Sequence, residues 1–182
     1  SMHTDEINHG SGELFLHTGH GQLGKPTFGA WTSYGLGTDN EDLPSYVVLK
    51  DQHPNAGPAA WGSGFLPSRH QGVQFRTGSK PLFYLDNPDG VTKEERRDVV
   101  DTLGELNSFA FDRYQDPEIQ TRIAQYELAY RMQTSVPELA DLQSEPNHIK
   151  KLYGLDKHGA GGTFAQNCLL ARRLVERGVR FV

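Results

Sequence analysis

LVERGVRFV, residues 174–182, joins two kinds of structure across one glycine. The pattern predicts a helix that runs out at Arg177, is closed by Gly178, and hands over to a strand starting Val179-Arg180-Phe181-Val182. Glycine is the residue that best tolerates the left-handed backbone ending a helix. A helix feeding a strand is the connection of an α/β fold. A strand this short cannot complete a sheet or cover its own apolar face. The chain therefore reads as a single domain, 1–182, that is an internal part of a larger one with an incomplete sheet. Ser1-Met2 points the same way, having the form of a cloning remnant before a start methionine.

Working back from that end, Thr163 and Gln166 predict the start of the last helix, preceded by LDKHGAGG and a short helix near His148 to Tyr153. Thr92 and Glu95 form a capping-box pattern. Val99, Leu103, Leu106 and Ala110 then repeat at helical spacing, predicting a helix over 92–114. Asp116 and Pro117 restart the chain as N-cap and first helical residue, and Ile119, Ile123, Tyr126 and Tyr130 give a second stripe. The two make a helical hairpin over 92–134, with a polar connector after Pro137. Tyr46-Val47-Val48-Leu49 is an apolar run suited to a strand buried on both faces. Val73-Gln74-Phe75 is a shorter strand, and Pro81 to Asp86 another extended piece. Between the first two lies a Pro- and Gly-rich loop, 52–72, of a length that tends to carry function. Near the N-terminus the sequence predicts a helix within 5–17, irregular around Gly10 and Gly12. A second, over 26–37, is opened by Pro26 and carries Phe28, Trp31, Tyr34 and Leu36 at roughly helical spacing.

Composition narrows the class. With 36% hydrophobic and 10% aromatic residues, the 182-residue chain has the material for a core. A net charge of -5, from 18 basic and 23 acidic residues spread along the chain, gives no reason to expect a nucleic-acid or anionic-membrane partner. Cys168 alone excludes an internal disulfide framework, and its apolar neighbours predict a buried, inert thiol. No apolar run approaches membrane-spanning length, and no signal-peptide pattern is present.

His3, His9, His17 and His20 crowd the first twenty residues beside Asp5, Glu6 and Asn8, inviting a metal reading. Their spacing gives neither an i, i+4 helical pair nor HExxH, so a structural or surface role is favoured over ligation. Ser63 or Ser68 with His70 does not make a nucleophile elbow, because GSGFL is not GxSxG and lacks the strand-to-helix turn. Arg69 and His70 suit contact with an anion, since a guanidinium grips two oxyanion oxygens as a fork; a solvated loop tip is the alternative. HTGHGQLGK misses the phosphate-loop pattern because Pro26 follows Gly24-Lys25. Of Arg172 and Arg173 in the last helix, one is expected to be a solvated charge favoured by the helix dipole.

MHTDEINHG, KPTFGAWTSYGLGT, LPSYVVL, GSGFLPSRHQGVQF, ELAYRMQTSVPEL, and YGLD followed by FAQNCLLARRLVERGVRFV occur together in one order. In this the chain resembles the bacterial sulfatase-like family of unknown function numbered fifteen-oh-one, within the alkaline-phosphatase-like superfamily. The resemblance implies a sandwich with a central, mostly parallel sheet, here partial, in an exported or periplasmic parent protein. The parent's implied activity is hydrolysis of sulfate or phosphate esters, on a small-molecule or carbohydrate substrate, with divalent metal ions. The metal ligands are expected from flanking segments, so no tight metal binding and no turnover above a buffer control are expected of this chain. Loose comparison with sulfatases, through LFLHTG, places Asn8 and His9 near the nucleophile's location. There they would hydrogen-bond an oxyanion or complete a metal shell. The Cys-x-Pro-x-Arg pattern is missing at that place, so a formylglycine-type nucleophile is not supported. The alternative function is a non-catalytic α/β binding domain for an anionic or carbohydrate ligand. Incomplete sheet edges beside Val47, Val48 and Phe181 predict self-association.

Overall fold

The computed structural model describes residues 4–76, 81–83, 85–155 and 161–182, apart from the side chains of 161–163. In chain order the elements are α1 (His9–Thr18), α2 (Phe28–Leu36), β1 (Val47–Leu49), β2 (Val73–Phe75), α3 (Lys93–Tyr114), α4 (Pro117–Ala140), α5 (Asn147–Tyr153) and α6 (Gly161–Glu176). Single 3-10 turns lie at Gly57–Trp61, Ser68–His70 and Leu142–Ser144. The fold is mixed α/β, with a small parallel sheet among many helices.

β1 and β2 pair in parallel, Val47 opposite Val73, Val48 opposite Gln74 and Leu49 opposite Phe75. On the other side of β1, Tyr46 bridges Phe181, also in parallel. The Val47 N–H donates to Phe181 O at 2.9 Å, and the Phe181 N–H donates to Ser45 O at 3.0 Å. The end of LVERGVRFV thus adds a single bridge beside the two-stranded sheet, next to the start of β1. This narrows one expectation: the edge of β1 away from β2 is closed at its start, where Phe181 stands opposite Tyr46 and accepts from the Val47 N–H, and has no strand partner beyond it among the described residues.

Side chains alternate across the strand, so each face of the sheet takes its own layer. Val47 and Phe75 share one face with Leu43, which precedes β1, with Met132, Val136 and Leu139 from α4, and with Leu170 and Leu174 from α6. Tyr46 takes the other face with Ala60 and Trp61, against which Val48 and Phe181 pack. The expectation of a strand covered on both sides holds.

Local sequence signals set the helix ends. Thr92 and Glu95 exchange the two hydrogen bonds of a capping box, and Asp116 caps α4 ahead of Pro117. At the end of α6 the Val179 N–H reaches Leu174 O at 3.0 Å and the Gly178 N–H reaches Val175 O at 3.0 Å. This Schellman pattern needs the positive φ of 86° at Gly178. Leu174 and Val179 meet in the core as its apolar clasp.

Packing overrode several other readings. α2 starts after Thr27, whose side chain accepts from the Ala30 N–H, so Pro26 precedes the cap instead of opening the helix. Phe28, Trp31, Tyr34 and Leu36 face outward, and Gly29, Ala30 and Ser33 are the buried side. The reason is close approach: a Cβ on Gly29 would stand 2.5 Å from Cζ of the buried Tyr46 ring. In α3 Leu103 and Ala110 of the predicted stripe are half-buried, but Val99 and Leu106 are open at 46% and 59% exposure and Val100 is the buried residue, at 4%. α4 continues through Pro137 to Ala140, past the connector that the proline predicted. An interior proline costs about 3 kcal/mol. Burial of Val136 and Leu139, both fully enclosed, contributes about 1.5–3 kcal/mol each and offsets it.

Pro81 to Asp86 forms bends and a turn at the described positions, not a strand, and Tyr84 lies outside them. Residues 156–160 of LDKHGAGG and the Thr163 side chain also lie outside the described residues, and the α6 backbone begins at Gly161. Arg173 is buried at 5% exposure and donates to Glu138 O, Asp141 O, Ser144 Oγ and Glu145 Oε1. It closes the carbonyl end of α4 instead of standing in solvent. Arg172 is half-buried and takes the other Glu145 oxygen at 2.9 Å. Cys168 is also half-buried, less enclosed than its neighbours predicted.

Candidate functional site

At the N-terminal ends of β1 and β2, the segment 68–72, the end of α2 and one side of α4 enclose a cavity of about 640 Å³. Ser33 comes from α2, Ser45 precedes β1, Ser68, Arg69 and His70 come from the 3-10 turn before β2, and Gln125 and Arg131 come from α4. His70 is buried at 8% exposure, while Arg69 beside it is exposed. The turn therefore sends one side chain inward and the next one out to the rim.

Hydrogen bonding fixes the state of the imidazole. Arg69 Nε donates to His70 Nε2 at 3.1 Å, and a guanidinium can only donate. Nε2 must therefore be the unprotonated nitrogen of a neutral ring, which puts the proton on Nδ1. Nδ1–H then donates to Ser33 Oγ at 2.9 Å, and the Ser33 and Ser45 hydroxyls share a hydrogen bond at 2.6 Å. Burial, and secondarily the Arg69 charge, push the His70 pKa below its ordinary value, in agreement with the neutral form. The edge-to-face Tyr34 ring, 5.4 Å away between centroids, walls one side. Ser68 turns away, its hydroxyl donating to Glu118 Oε2 at 3.0 Å, while its N–H approaches the other oxygen at 3.4 Å.

Two consequences follow for chemistry. Neither Ser33 nor Ser68 meets a basic nitrogen, since Nδ1 carries its proton and Nε2 is engaged by Arg69. In contrast, Arg69 spends only Nε on the protein; its two terminal amino groups have no partner among the described residues. Arg131 is the second cation of the cavity, in a long, exposed 3.4 Å contact with Glu41. Such a pair contributes little and exchanges easily.

Asn8 and His9 stand elsewhere. Asn8 is the N-cap of α1, its Oδ1 accepting from the Gly10 N–H at 2.8 Å, and His9 is the first helical residue; both are exposed. Neither lines the cavity that holds Arg69 and His70. The early histidines disperse: His17 is on the last turn of α1, the His20 backbone binds the Thr18 hydroxyl, and His3 lies outside the described residues. Among the described residues no group of three or more His, Cys, Asp or Glu side chains is placed to hold a metal ion. The metal ligands that the resemblance implies are expected from flanking segments and are not assembled by these residues.

The sequence reading singled out Arg69 and His70 but missed Ser33, Ser45 and Gln125. Ser33 lies among exposed aromatics on α2, and nothing in its spacing separates a buried serine from a solvated one. A sequence model of the family described as "Protein of unknown function (DUF1501)" matches residues 1–182. No curated protein and no solved structure matches the chain.

Proposed function

The chain belongs to the DUF1501 family of proteins of unknown function, and on that premise we propose that it supplies the oxyanion-recognition wall of a sulfatase-like ester hydrolase. In this reading the small parallel sheet and its two layers belong to an alkaline-phosphatase-like sandwich, and the ligand is a sulfate or phosphate ester. One observation carries it: Arg69 is anchored through Nε to a buried neutral His70, leaving its terminal amino groups at the rim of the cavity. An arginine held in place loses less freedom on gripping two oxyanion oxygens than a free one would. The cavity has room for an ester with its organic group.

The same hydrogen bonds argue for binding without turnover by this cavity, because the imidazole offers no lone pair to activate a serine or a water. They equally favour the second reading, a non-catalytic domain for an anionic or carbohydrate ligand. Asn8 and His9, exposed at the start of α1 and outside this cavity, are in this reading the oxyanion or metal-shell contacts of the complete hydrolase.

Calorimetric titration with phenyl phosphate and phenyl sulfate tests the proposal. The expected result is saturable binding, weakened at least about ten-fold by Arg69→Met, on the order of 1.4 kcal/mol, with the far-UV spectrum unchanged. Absence of binding by the unaltered protein, or equal affinity in Arg69→Met, would refute it. In a longer protein that carries the family's flanking segments, turnover that survives Arg69→Met but drops at least about ten-fold in His9→Ala would move the reactive centre to α1.

A further inference from the structure

We propose a second ligand site, in the cleft at the C-terminal end of β1, for a small oxyanion carried on a flat ring. The cleft has a volume of about 340 Å³ and lies at the end of β1 away from the Arg69 cavity. His17 of α1, Lys50 and His53 after β1, and Trp61 of the 3-10 turn line it. In parallel sheets the carboxyl ends of strands are where side chains from successive loops converge on ligands.

The contacts give this cleft a definite polarity. Lys50 Nζ lies 3.1 Å from His53 Nδ1 and 5.0 Å from the centroid of the Trp61 ring. An ammonium group only donates, so Nδ1 accepts and the N–H of a neutral His53 ring is on Nε2. Lys50 then has two protons left for a ligand, with the Nε2–H of His53 as a third donor. Glu13 also lines the cleft, but both of its oxygens are taken by neutral amides and neither pairs with Lys50. Glu13 Oε1 accepts from Asn55 Nδ2 at 2.8 Å, and Oε2 accepts from the Ala56 N–H at 2.9 Å, contacts that also hold the Glu13 pKa below the ordinary carboxylate range. Lys50 forms no ion pair among the described residues, and Asp51, although next in sequence, does not line the cleft.

Half-buried Lys50 thus presents an ammonium without a direct ion pair among the described residues, above an indole face that is otherwise enclosed, Trp61 being 9% exposed. An oxyanion drawing the ammonium toward itself uncovers that face, and a flat ring attached to the anion can take its place by stacking. The ligand class is accordingly a phosphate or sulfate monoester of an aromatic ring. Unlike the Arg69 cavity, this cleft recognises the ring as well as the anion.

Trp61 reports occupancy directly. In a Trp31→Phe background its fluorescence is titrated with phenyl phosphate and, separately, inorganic phosphate. A saturable change is expected, at least about five-fold tighter for phenyl phosphate, a gain within the range of one aromatic contact. Lys50→Met, which keeps the stem over the ring, should weaken it at least about ten-fold, Lys50→Arg should restore most of it, and Arg69→Met should leave it unchanged. The Trp61 indole cross-peak of the unaltered protein provides a check independent of any variant's folding: it should shift with phenyl phosphate and not with sodium chloride at equal ionic strength. No saturable change, equal response to chloride, or loss of the signal in Arg69→Met would overturn the assignment. The last outcome would leave the Arg69 cavity standing, and loss confined to Lys50→Met would leave this cleft standing whatever becomes of Arg69.

Discussion

His70 illustrates how much one side chain can hold at the residue scale. Its two nitrogens face opposite demands, a donor at Nε2 and an acceptor at Nδ1, which a neutral ring satisfies and an imidazolium does not. The folded pKa therefore lies below the ordinary value of 6.5. As pH falls past 6.5 the unfolded chain takes up a proton that the folded chain refuses, so stability falls toward acid until the folded pKa is reached. Above 6.5 this group adds no pH dependence. Urea unfolding between about pH 5.5 and 7.5 should show a steeper acid-side loss for the unaltered protein than for His70→Gln. The difference should be at most about 1.4 kcal/mol per pH unit. Equal slopes would mean that the ring is free to protonate in place and that the Arg69 anchor is wrong.

At the scale of the element, α3 offers a comparison in which chemistry is constant and environment is not. Val99 and Val100 are neighbours of the same type, the first 46% and the second 4% exposed. Val100→Ala removes buried methyl groups at the α4 contact and should cost about 1.5–2.5 kcal/mol, from transfer and cavity together. Val99→Ala should fall within about 0.5 kcal/mol of neutral, or stabilise slightly, because alanine is the better helix former. Denaturant midpoints for the pair would decide it, and equal costs would return the inward face to the stripe through Val99 and Leu106. That stripe was legible as helix but not as a direction. α3 packs chiefly on α4 alone, so its Val99 and Leu106 face finds no second layer.

For the molecule as a whole, the outward turn of α2 sets up a band of aromatic surface. Trp31 meets Phe65 and Tyr34 edge to face, and Phe28 meets Phe181 at the rim of the sheet. Phe28, Trp31, Tyr34 and Phe65 are each at least 45% exposed, an apolar patch of the kind that recruits another surface. Our hypothesis is that self-association uses this band and the adjoining Phe181 rim. Sedimentation velocity from about 10 to 100 µM, a range that brackets weak dimers, should show concentration-dependent association, lost in the double variant Trp31→Glu, Phe65→Glu. A single monomeric species throughout that range in the unaltered protein would sink the hypothesis.

What the sequence determined by itself was local. Thr92 with Glu95, Asp116 with Pro117, and Gly178 after α6 mark helix ends because each satisfies backbone groups within a few residues of itself. The apolar runs at Tyr46 to Leu49 and Val73 to Phe75 were strands for similar reasons, β-branched and aromatic side chains suiting a pleated backbone. Arg69 and His70 were singled out as candidate anion contacts only through residue type and loop position, and Gly62 to Gly72 gave no sign that one would anchor the other. The tertiary structure alone decided that Gly29 and Ser33 would face the sheet while Trp31 faced out, that Arg173 would close α4, and that Ser33 would meet His70 across 37 residues of chain. Periodicity states that a helix has an apolar stripe, but burial depends on what stands opposite. Where Tyr46 already fills the space, the closest packing is won by the residue with the smallest side chain.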